Sequence, residues 1–487
     1  MNEQLHVYDV VVVGGGVAGL SAAVAAAEGG ARVALLERST EAETGGNTRY
    51  TEAFLRMQSL DETADGLEDT LVDDFMGHPD PSVVHEAALS PERRSALYRA
   101  HHLIDPDYVA ELAVNAPETL RWMTTHGMRF DFLPTPFLTQ STTRMAPVGG
   151  GLAIVETMGK AARGLGVDFH FEHTARRLLA GPDGVHGVVA HGPAGSVEFH
   201  GTVVLASGGY QGNAEMMARY HDGRGQTTRP VARGGNYNKG EGIEMALALG
   251  AATAGNFSLF HAEPVDPRSG EPEAAIFCFP YGILVNKEGR RFVDEARGPV
   301  DAWYERTTRD IQAQTEGVAW VILDQQSLAV PNIRSGIRTD VAPVTRDTIA
   351  ALAAAIGIPA DALEATVTTY NAACTDGPFD HTTPDGLATA GLTPAKSNWA
   401  RPISHGPFVA YPIMAANVFT FGGLKTNAAA EVVDLDGRVI PGLFAAGEMT
   451  GLYYSNYTGS TSVLRGATFG RIAGTRAADG VRHGAEV

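Results

Sequence analysis

The most constraining feature lies in the first forty residues. Tyr8 to Val13 reads YDVVVV, a β-branched run without polar alternation. Such a run suits a strand buried on both faces of a parallel sheet. Gly14-Gly15-Gly16-Val17-Ala18-Gly19 follows at once and satisfies G-x-G-x-x-G, with Leu20 to Glu28 behind it as an alanine-rich helix closed by Gly29-Gly30. Ala31 to Leu36 forms a second apolar run, and Glu37-Arg38 stands at its end. Gly14 permits the tight turn. Gly16 lets a pyrophosphate approach the helix N-terminus, where unpaired N–H groups and the helix dipole favour an anion. Gly19 lets the helix pack closely on the strand. Glu37 can accept from both hydroxyls of a ribose and disfavours a 2′-phosphate. The glycine pattern alone is weak, but strand, turn, helix, strand and acid in order specify a dinucleotide site.

Composition narrows the class. The 487 residues carry a formal net charge of -19, with 44% hydrophobic and 19% charged residues. That is the composition of a folded protein, without the basic face or basic run of a nucleic-acid binder. The cysteines Cys278 and Cys374 are too few for an Fe–S cluster or a Cys-rich zinc site, and are expected to be reduced thiols. His170 and His173 lie in an expected strand and His101 and His102 at a loop start. Neither pair has the spacing or third ligand of a zinc site, so no metal is expected. Val10 to Ala27 is long enough to suggest a membrane span, but Gly14-Gly15-Gly16 divides it into strand, turn and helix. The beginning MNEQLHVYDVVVV lacks a basic n-region and a twin arginine, which points to a cytoplasmic protein with no membrane anchor.

Three later segments decide the dinucleotide. Thr44-Gly45-Gly46-Asn47-Thr48 follows the second strand. Gly208-Gly209 follows the apolar run VVLAS. Near the end, VIPGLFAAGEMT (439–450) carries Gly447-Glu448, and a helix is expected from Ser462 to Arg476. In order along the chain, these motifs resemble the flavoproteins of the succinate dehydrogenase and fumarate reductase family. The resemblance implies FAD held by Gly14, Gly16, Ala18, Gly19, Glu37, Arg38, Gly45, Gly46, Asn47, Thr48, Gly208, Gly209, Gly447, Glu448, Ser462, Val463 and Leu464. It implies an α/β chain: a Rossmann-like FAD-binding domain, discontinuous over residues 1–256 and 405–487, with an α+β substrate-capping domain at 257–404. Within the cap, Ile349 to Gly357 and Ala360 to Cys374 read as helices and Val318 to Leu323 as a strand, while Thr375 to Pro394 reads as a loop. No histidine precedes the second glycine motif, between Ser39 and Thr44, so the flavin is expected to be non-covalent.

Family members insert or remove a C=C bond beside a carbonyl or carboxylate. The phrases NYNKGEG (236–242), FHAEPVD (260–266), NKEGRRFVDE (286–295) and FGRIAG (469–474) are similar to the tricarballylate dehydrogenase branch. The departures carry more weight. Where fumarate reductases have a proton-donating arginine and 3-ketosteroid dehydrogenases a tyrosine, this chain has Val300. Arg297, Tyr304 and Arg306 are the nearest polar residues, with Arg297 taken as the catalytic candidate. At the two positions where fumarate reductases bind carboxylate with a histidine and an arginine, this chain has Phe419 and Tyr457. Asn456-Tyr457-Thr458-Gly459-Ser460-Thr461 is similar to the ketone-binding phrase of ketosteroid dehydrogenases. The resemblance makes Tyr457 and the Thr461 N–H the polarising donors, with His261 a further catalytic candidate. Tyr453, Tyr454, Arg49, Arg144 and also Arg56 are candidate substrate contacts.

A phenol donor suits a ketone becoming an enolate, whereas paired arginines suit a dicarboxylate. The favoured expectation is therefore desaturation or reduction alpha-beta to the carbonyl of a small ketone or keto acid, with a ring as the favoured shape. A polycarboxylate dehydrogenase is the alternative. The empty position at Val300 leaves a redox-inactive FAD-binding protein as a third. A separate electron donor or acceptor is expected. The oligomeric state is not legible.

Overall fold

The computed structural model describes residues 4–67, 105–132 and 144–484, together with Glu86, Leu89, Ser90 and residues 93–95. His101 and His102 lie outside the described residues.

The first strand, Gln4–Val13, pairs in parallel with Val33–Leu36 on one side and with Gly195–Leu205 on the other. Val439–Ala445 adds in parallel beyond Gly195–Leu205, and Asp168–His170 beyond Val33–Leu36. Val10 to Val13 are at most 5% exposed, as the unalternated apolar run requires. An antiparallel pair, Thr174–Gly181 and Gly184–Gly192, extends the sheet.

Helix Val17–Glu28 lies against the last helix, Ser462–Gly484, which runs beyond the expected Arg476. Their contact is made of small residues. A Cβ added at Gly470 would fall 2.3 Å from the Ala18 carbonyl oxygen, so only glycine permits this approach. The N- and C-terminal parts of the chain thereby build one layer around the first glycine motif.

The second sheet is largely antiparallel, in the order Phe260–Val265, Phe408–Thr420, Val318–Leu323, Ile283–Val285. Alternation divides its faces. Ile283, Val285 and Ile322 share a core with Leu352, Leu363 and Tyr370 of helices Ile349–Ile356 and Ala360–Ala373. Leu284, Val321 and Leu323 share another with Val300 and Ile311 of helix Val300–Gln312.

One strand bridges the two expected domains. The strand Phe408–Thr420 falls in the segment assigned to the FAD-binding domain, yet it is the most-paired strand of the cap sheet. Its length is the physical reason. Thirteen residues run from the cap into the wall of the cofactor cavity, which Val418 and Phe419 line.

Candidate active site

The glycine turn, the second glycine motif and the last helix converge on one cavity. Gly14, Gly16, Ala18, Glu37, Arg38, Gly45, Gly46, Asn47, Thr48, Gly208, Gly447, Glu448, Ser462 and Val463 all line it. Gly14 has φ +109, and a Cβ there would lie 2.4 Å from the Ala206 carbonyl oxygen. Glu37 is held by two backbone donors, Gly15 N–H at 2.8 Å and Ser39 N–H at 2.8 Å. Thr48 Oγ1 accepts from the Val17 N–H at the start of the first helix. Arg38 is shared between Glu241 at 3.1 Å and the Tyr237 carbonyl at 2.8 Å.

Glu448 gathers three side-chain and backbone donors. Thr420 N–H, Asn238 Nδ2 and Gln211 Nε2 donate to its carboxylate oxygens at 3.1, 3.0 and 3.3 Å. Burial nevertheless pushes its pKa up to about 7.

Three cofactor candidates are placed differently. Gly19 lies in the first helix behind the cavity, where a Cβ would strike the Gly14 carbonyl at 1.9 Å. Gly209 leaves room for the meeting of Thr420 Oγ1 and Glu448 Oε1. Leu464 is fully buried in the hydrophobic core, because its place on the helix points away from the cavity. Its neighbours Arg465 and Gly466 line the wall instead. Ser207, Tyr237 and Asn238 also line it, without a glycine signature that sequence reading could use.

The cradle suits FAD. Its glycine backbone leaves space that side chains would fill. The cavity-lining Asn47 donates through Nδ2 to the Val418 carbonyl at 2.6 Å, while its buried Oδ1 has no protein partner. A bound group with a donor would satisfy that oxygen.

Beside this cavity stands a polar and aromatic cluster built by four elements. Strand Phe260–Val265 supplies His261 and the end of strand Phe408–Thr420 supplies Phe419. Helix Val300–Gln312 supplies Tyr304 and Glu305, and the loop before the last helix supplies Tyr457. His261 lies 4.3 Å from Tyr457, 5.2 Å from Phe419 and 5.5 Å from Tyr304, ring centroid to centroid.

The hydrogen bonds order the cluster. Glu305 Oε2 accepts from His261 Nδ1 at 3.0 Å and from the Tyr457 N–H at 3.1 Å. Its other oxygen pairs with Arg309, so the carboxylate is held in place. With Nδ1 donating to Glu305, His261 Nε2 is the acceptor, and the Tyr304 hydroxyl donates to it at 3.0 Å. Burial pushes the Tyr304 pKa well above the ordinary phenol range.

The Tyr457 hydroxyl oxygen accepts the backbone N–H of Thr461 at 3.1 Å and of Ser462 at 3.2 Å. The Thr461 N–H is therefore engaged by the phenol itself, not presented separately. Two donors on this oxygen make its own proton a better donor. Tyr453 is fully buried behind it, its hydroxyl 2.7 Å from Thr461 Oγ1, which places it as a support for Thr461.

Arg297, Arg306, Arg49 and Tyr454 fall outside the cluster, whereas Arg144 and Arg56 reach Gly459 in the loop of Tyr457. Arg297 is exposed and pairs with Asp310 at 3.3 Å, because it precedes the cap helix and faces the surface. Arg306 is exposed over the Trp303 ring. Arg49 turns back to the Thr44 carbonyl. Tyr454 sits toward Asn256, which donates to its carbonyl at 3.0 Å. Arg144 is buried against Asp301 at 3.0 Å, and Arg56 donates to the Gly459 carbonyl at 3.0 Å. Tyr304 and Val300 explain the apparent gap: they are four residues apart on one helix, so they share a face, and the polar group arrives one turn later. Glu305 carries no motif signal and emerges only from packing. Among the described residues, no group of three or more His, Cys, Asp or Glu is placed to hold a metal.

Comparison with known proteins gives the family. The FAD binding domain family model matches residues 9–464, and the chain belongs to that family. A fumarate reductase (cytochrome) of Shewanella frigidimarina is 28% identical over 96% of this chain and 77% of its own length. The 4-oxocyclohexanecarboxylate 2-dehydrogenase of Sinomonas cyclohexanicum is 28% identical over 96% of this chain and 92% of its own. The crystal structure of a 3-ketosteroid dehydrogenase from Rhodococcus jostii RHA1, with 4-androstene-3,17-dione, is similar at 25% identity and a TM-score of 0.68. It covers 98% of both chains. The protein is thus an FAD-dependent oxidoreductase of the succinate dehydrogenase and fumarate reductase flavoprotein family, acting on CH–CH groups. Among the described residues, no helix is long and apolar enough to cross a membrane.

Proposed function

We propose that this enzyme introduces or reduces the C=C bond alpha-beta to the carbonyl of a small ring ketone or keto acid. The observation that carries the reading is the Tyr457 hydroxyl, which accepts two backbone N–H bonds and meets Ser462 Oγ at 3.1 Å, so that a Ser462 hydroxyl donating to it would free a strengthened phenol donor for a substrate oxygen. Such a donor stabilises an oxygen that gains charge as a ketone becomes an enolate. The aromatic rings of Phe419, Tyr457 and Tyr304, gathered around His261, would suit a flat ring. The dehydrogenase of Sinomonas cyclohexanicum, named for 4-oxocyclohexanecarboxylate, supports a substrate of this size. A polycarboxylate reading is less well supported, because Arg144 and Arg309 are each committed to a carboxylate of the protein.

Bound FAD supplies the two-electron acceptor or donor for the hydride. The protein handles the proton. In the oxidative direction the Tyr304 oxygen accepts the proton from the carbon next to the carbonyl. At the same time its own proton passes to His261 Nε2, 3.0 Å away. The electron pair of the broken C–H bond stays on the substrate as an enolate held by Tyr457. Glu305 stabilises the imidazolium through Nδ1–H. A neutral phenol suits this transfer, because its raised pKa makes free phenolate inaccessible. Reduction runs the same steps backwards.

We further assign residues 257–404 as the cap that excludes water, together with the strand that joins it to the cavity. Electrons leave to a separate acceptor, or arrive from a separate donor, in a cytoplasmic setting.

The test is anaerobic flavin bleaching by 4-oxocyclohexanecarboxylate and related ring ketones, against succinate and tricarballylate. Bleaching by the ring ketones alone is expected. Tyr304→Phe should slow it about 10²- to 10⁴-fold, the usual worth of a general acid–base. Bleaching by the polycarboxylates alone refutes the reading.

A further inference from the structure

Behind His261, on the side away from Glu305, lies a group of charges the chemistry above does not use. Glu263 is two residues along the same strand, and its Oε1 is 3.9 Å from His261 Nε2. Its Oε2 is buried and has no hydrogen-bond partner. An ionised carboxylate oxygen left in that state is costly, and a proton removes the cost. Arg338 stands among Glu52 at 2.8 Å, Glu273 at 3.6 Å and, electrostatically, Glu263. Three carboxylates thus face a single guanidinium. Glu273 adopts φ +48, the left-handed region that non-glycine residues rarely occupy. Backbone strain of this kind persists where the surroundings hold a side chain in a required place. Glu52 has 44% of its side chain exposed, against 14% for both Glu263 and Glu273, so the group leads outward.

We propose that Glu263 and Glu273, grouped around Arg338, hold one shared proton and exchange the proton of the reaction between His261 and solvent at Glu52. This rests on the acid–base reading of Tyr304 and His261 given above. The balance is simple. The His261 Nε2–H bond formed during oxidation breaks, and the proton binds a carboxylate oxygen of the singly charged pair. The imidazole keeps the electron pair. One proton then leaves the pair to water beside Glu52, restoring the starting charge. The 3.9 Å gap is beyond a direct hydrogen bond and within reach of a rotation of the Glu263 side chain.

The electrostatics agree with the geometry. Burial raises the Glu263 pKa, opposed by His261 and Arg338 and reinforced by Glu52. Burial raises the Glu273 pKa well above the carboxylate range, reinforced by Glu263 and Glu52 and opposed by Arg338. Tyr304, from the cap helix, also feels the Glu263 charge.

Two measurements on the FAD-loaded protein test this. The first is an infrared pH titration of the carboxyl C=O stretch. A protonated carboxyl should be present at pH 7 and lost in Glu273→Gln. In Glu263→Gln its midpoint should fall, because one carboxylate neighbour has gone. No protonated carboxyl in the wild type, or an unchanged band in both variants, overturns the proposal. The second is single-turnover flavin reduction by 4-oxocyclohexanecarboxylate across pH, in H2O and D2O. Glu263→Gln and Glu273→Gln should each slow reduction at least about tenfold and change the pH profile and solvent isotope effect, with FAD content and probe affinity kept. A wild-type pH profile and isotope effect in both variants also overturns it. If the probe leaves the wild-type flavin oxidised, the ring-ketone reading fails, and the infrared titration alone decides the proton store.

Discussion

Lys396 offers a test of the cap that does not depend on any substrate. It is fully buried, donates to the Gly282 carbonyl and lies 5.8 Å from the Tyr370 ring centroid. Burial lowers its pKa from 10.5 to about 8, against the opposing pull of Glu295. The unfolded chain holds this proton up to about pH 10.5 and the folded chain only to about pH 8. Between those values the unfolded state binds more protons, so stability rises with pH. The gap of about 2.5 units, at 1.36 kcal/mol each, is worth about 3 kcal/mol. Below pH 8 both states are protonated and the contribution is flat at its least favourable level. Lys396→Met should abolish this slope. The wild type should therefore gain about 3 kcal/mol relative to the variant between pH 7 and 10.5. Lys425, also lowered to about 8, remains in both proteins and cancels. Urea unfolding followed by tryptophan fluorescence reads the cap directly, since Trp303, Trp320 and Trp399 lie within it and only Trp122 outside. Parallel pH profiles for the two proteins would refute the desolvation argument.

Two further outcomes follow from the site. Gly14→Ala should weaken FAD binding at least about tenfold, because a left-handed residue costs roughly 1–2 kcal/mol and its Cβ meets the Ala206 backbone. Equilibrium titration of apoprotein with FAD checks it, and an unchanged affinity would remove Gly14 from the cradle. Tyr457→Phe should lower the rate of flavin reduction by a ring ketone about 10²- to 10³-fold, the range for one oxyanion donor. Its effect on substrate affinity should be much smaller, and stopped-flow absorbance separates the two. A rate within threefold of the wild type would remove Tyr457 from the enolate-stabilising role.

The cofactor site was legible in the sequence because it is made of local rules. A turn that needs φ above zero needs glycine, a pyrophosphate needs close backbone approach, and a ribose needs an acid at the end of the next strand. Gly14, Glu37, Gly45 and Glu448 carry those demands in motifs of a few residues each, and all four reach one cavity. Leu464 shows the limit of such reading. Within a helix start, one residue in the motif faces the ligand and the next faces the core, and only packing tells which.

The reacting cluster was legible only in part. Tyr457 and His261 stand in recognisable phrases, but the sequence by itself left Val300 at the expected position with Arg297, Tyr304 and Arg306 as its nearest polar neighbours, and took Arg297 as the candidate. Tertiary structure decided otherwise, because a helix returns to the same face after one turn and so brings Tyr304 to His261. Glu305 joins His261 to the loop of Tyr457 across 44 and 152 residues of chain. No local spacing encodes a contact of that separation. It exists because the cap helix packs over the end of a thirteen-residue strand that reaches the cofactor cavity. Sequence motifs determined what the chain binds, and the packing of the cap determined which residues meet in the cluster proposed to react.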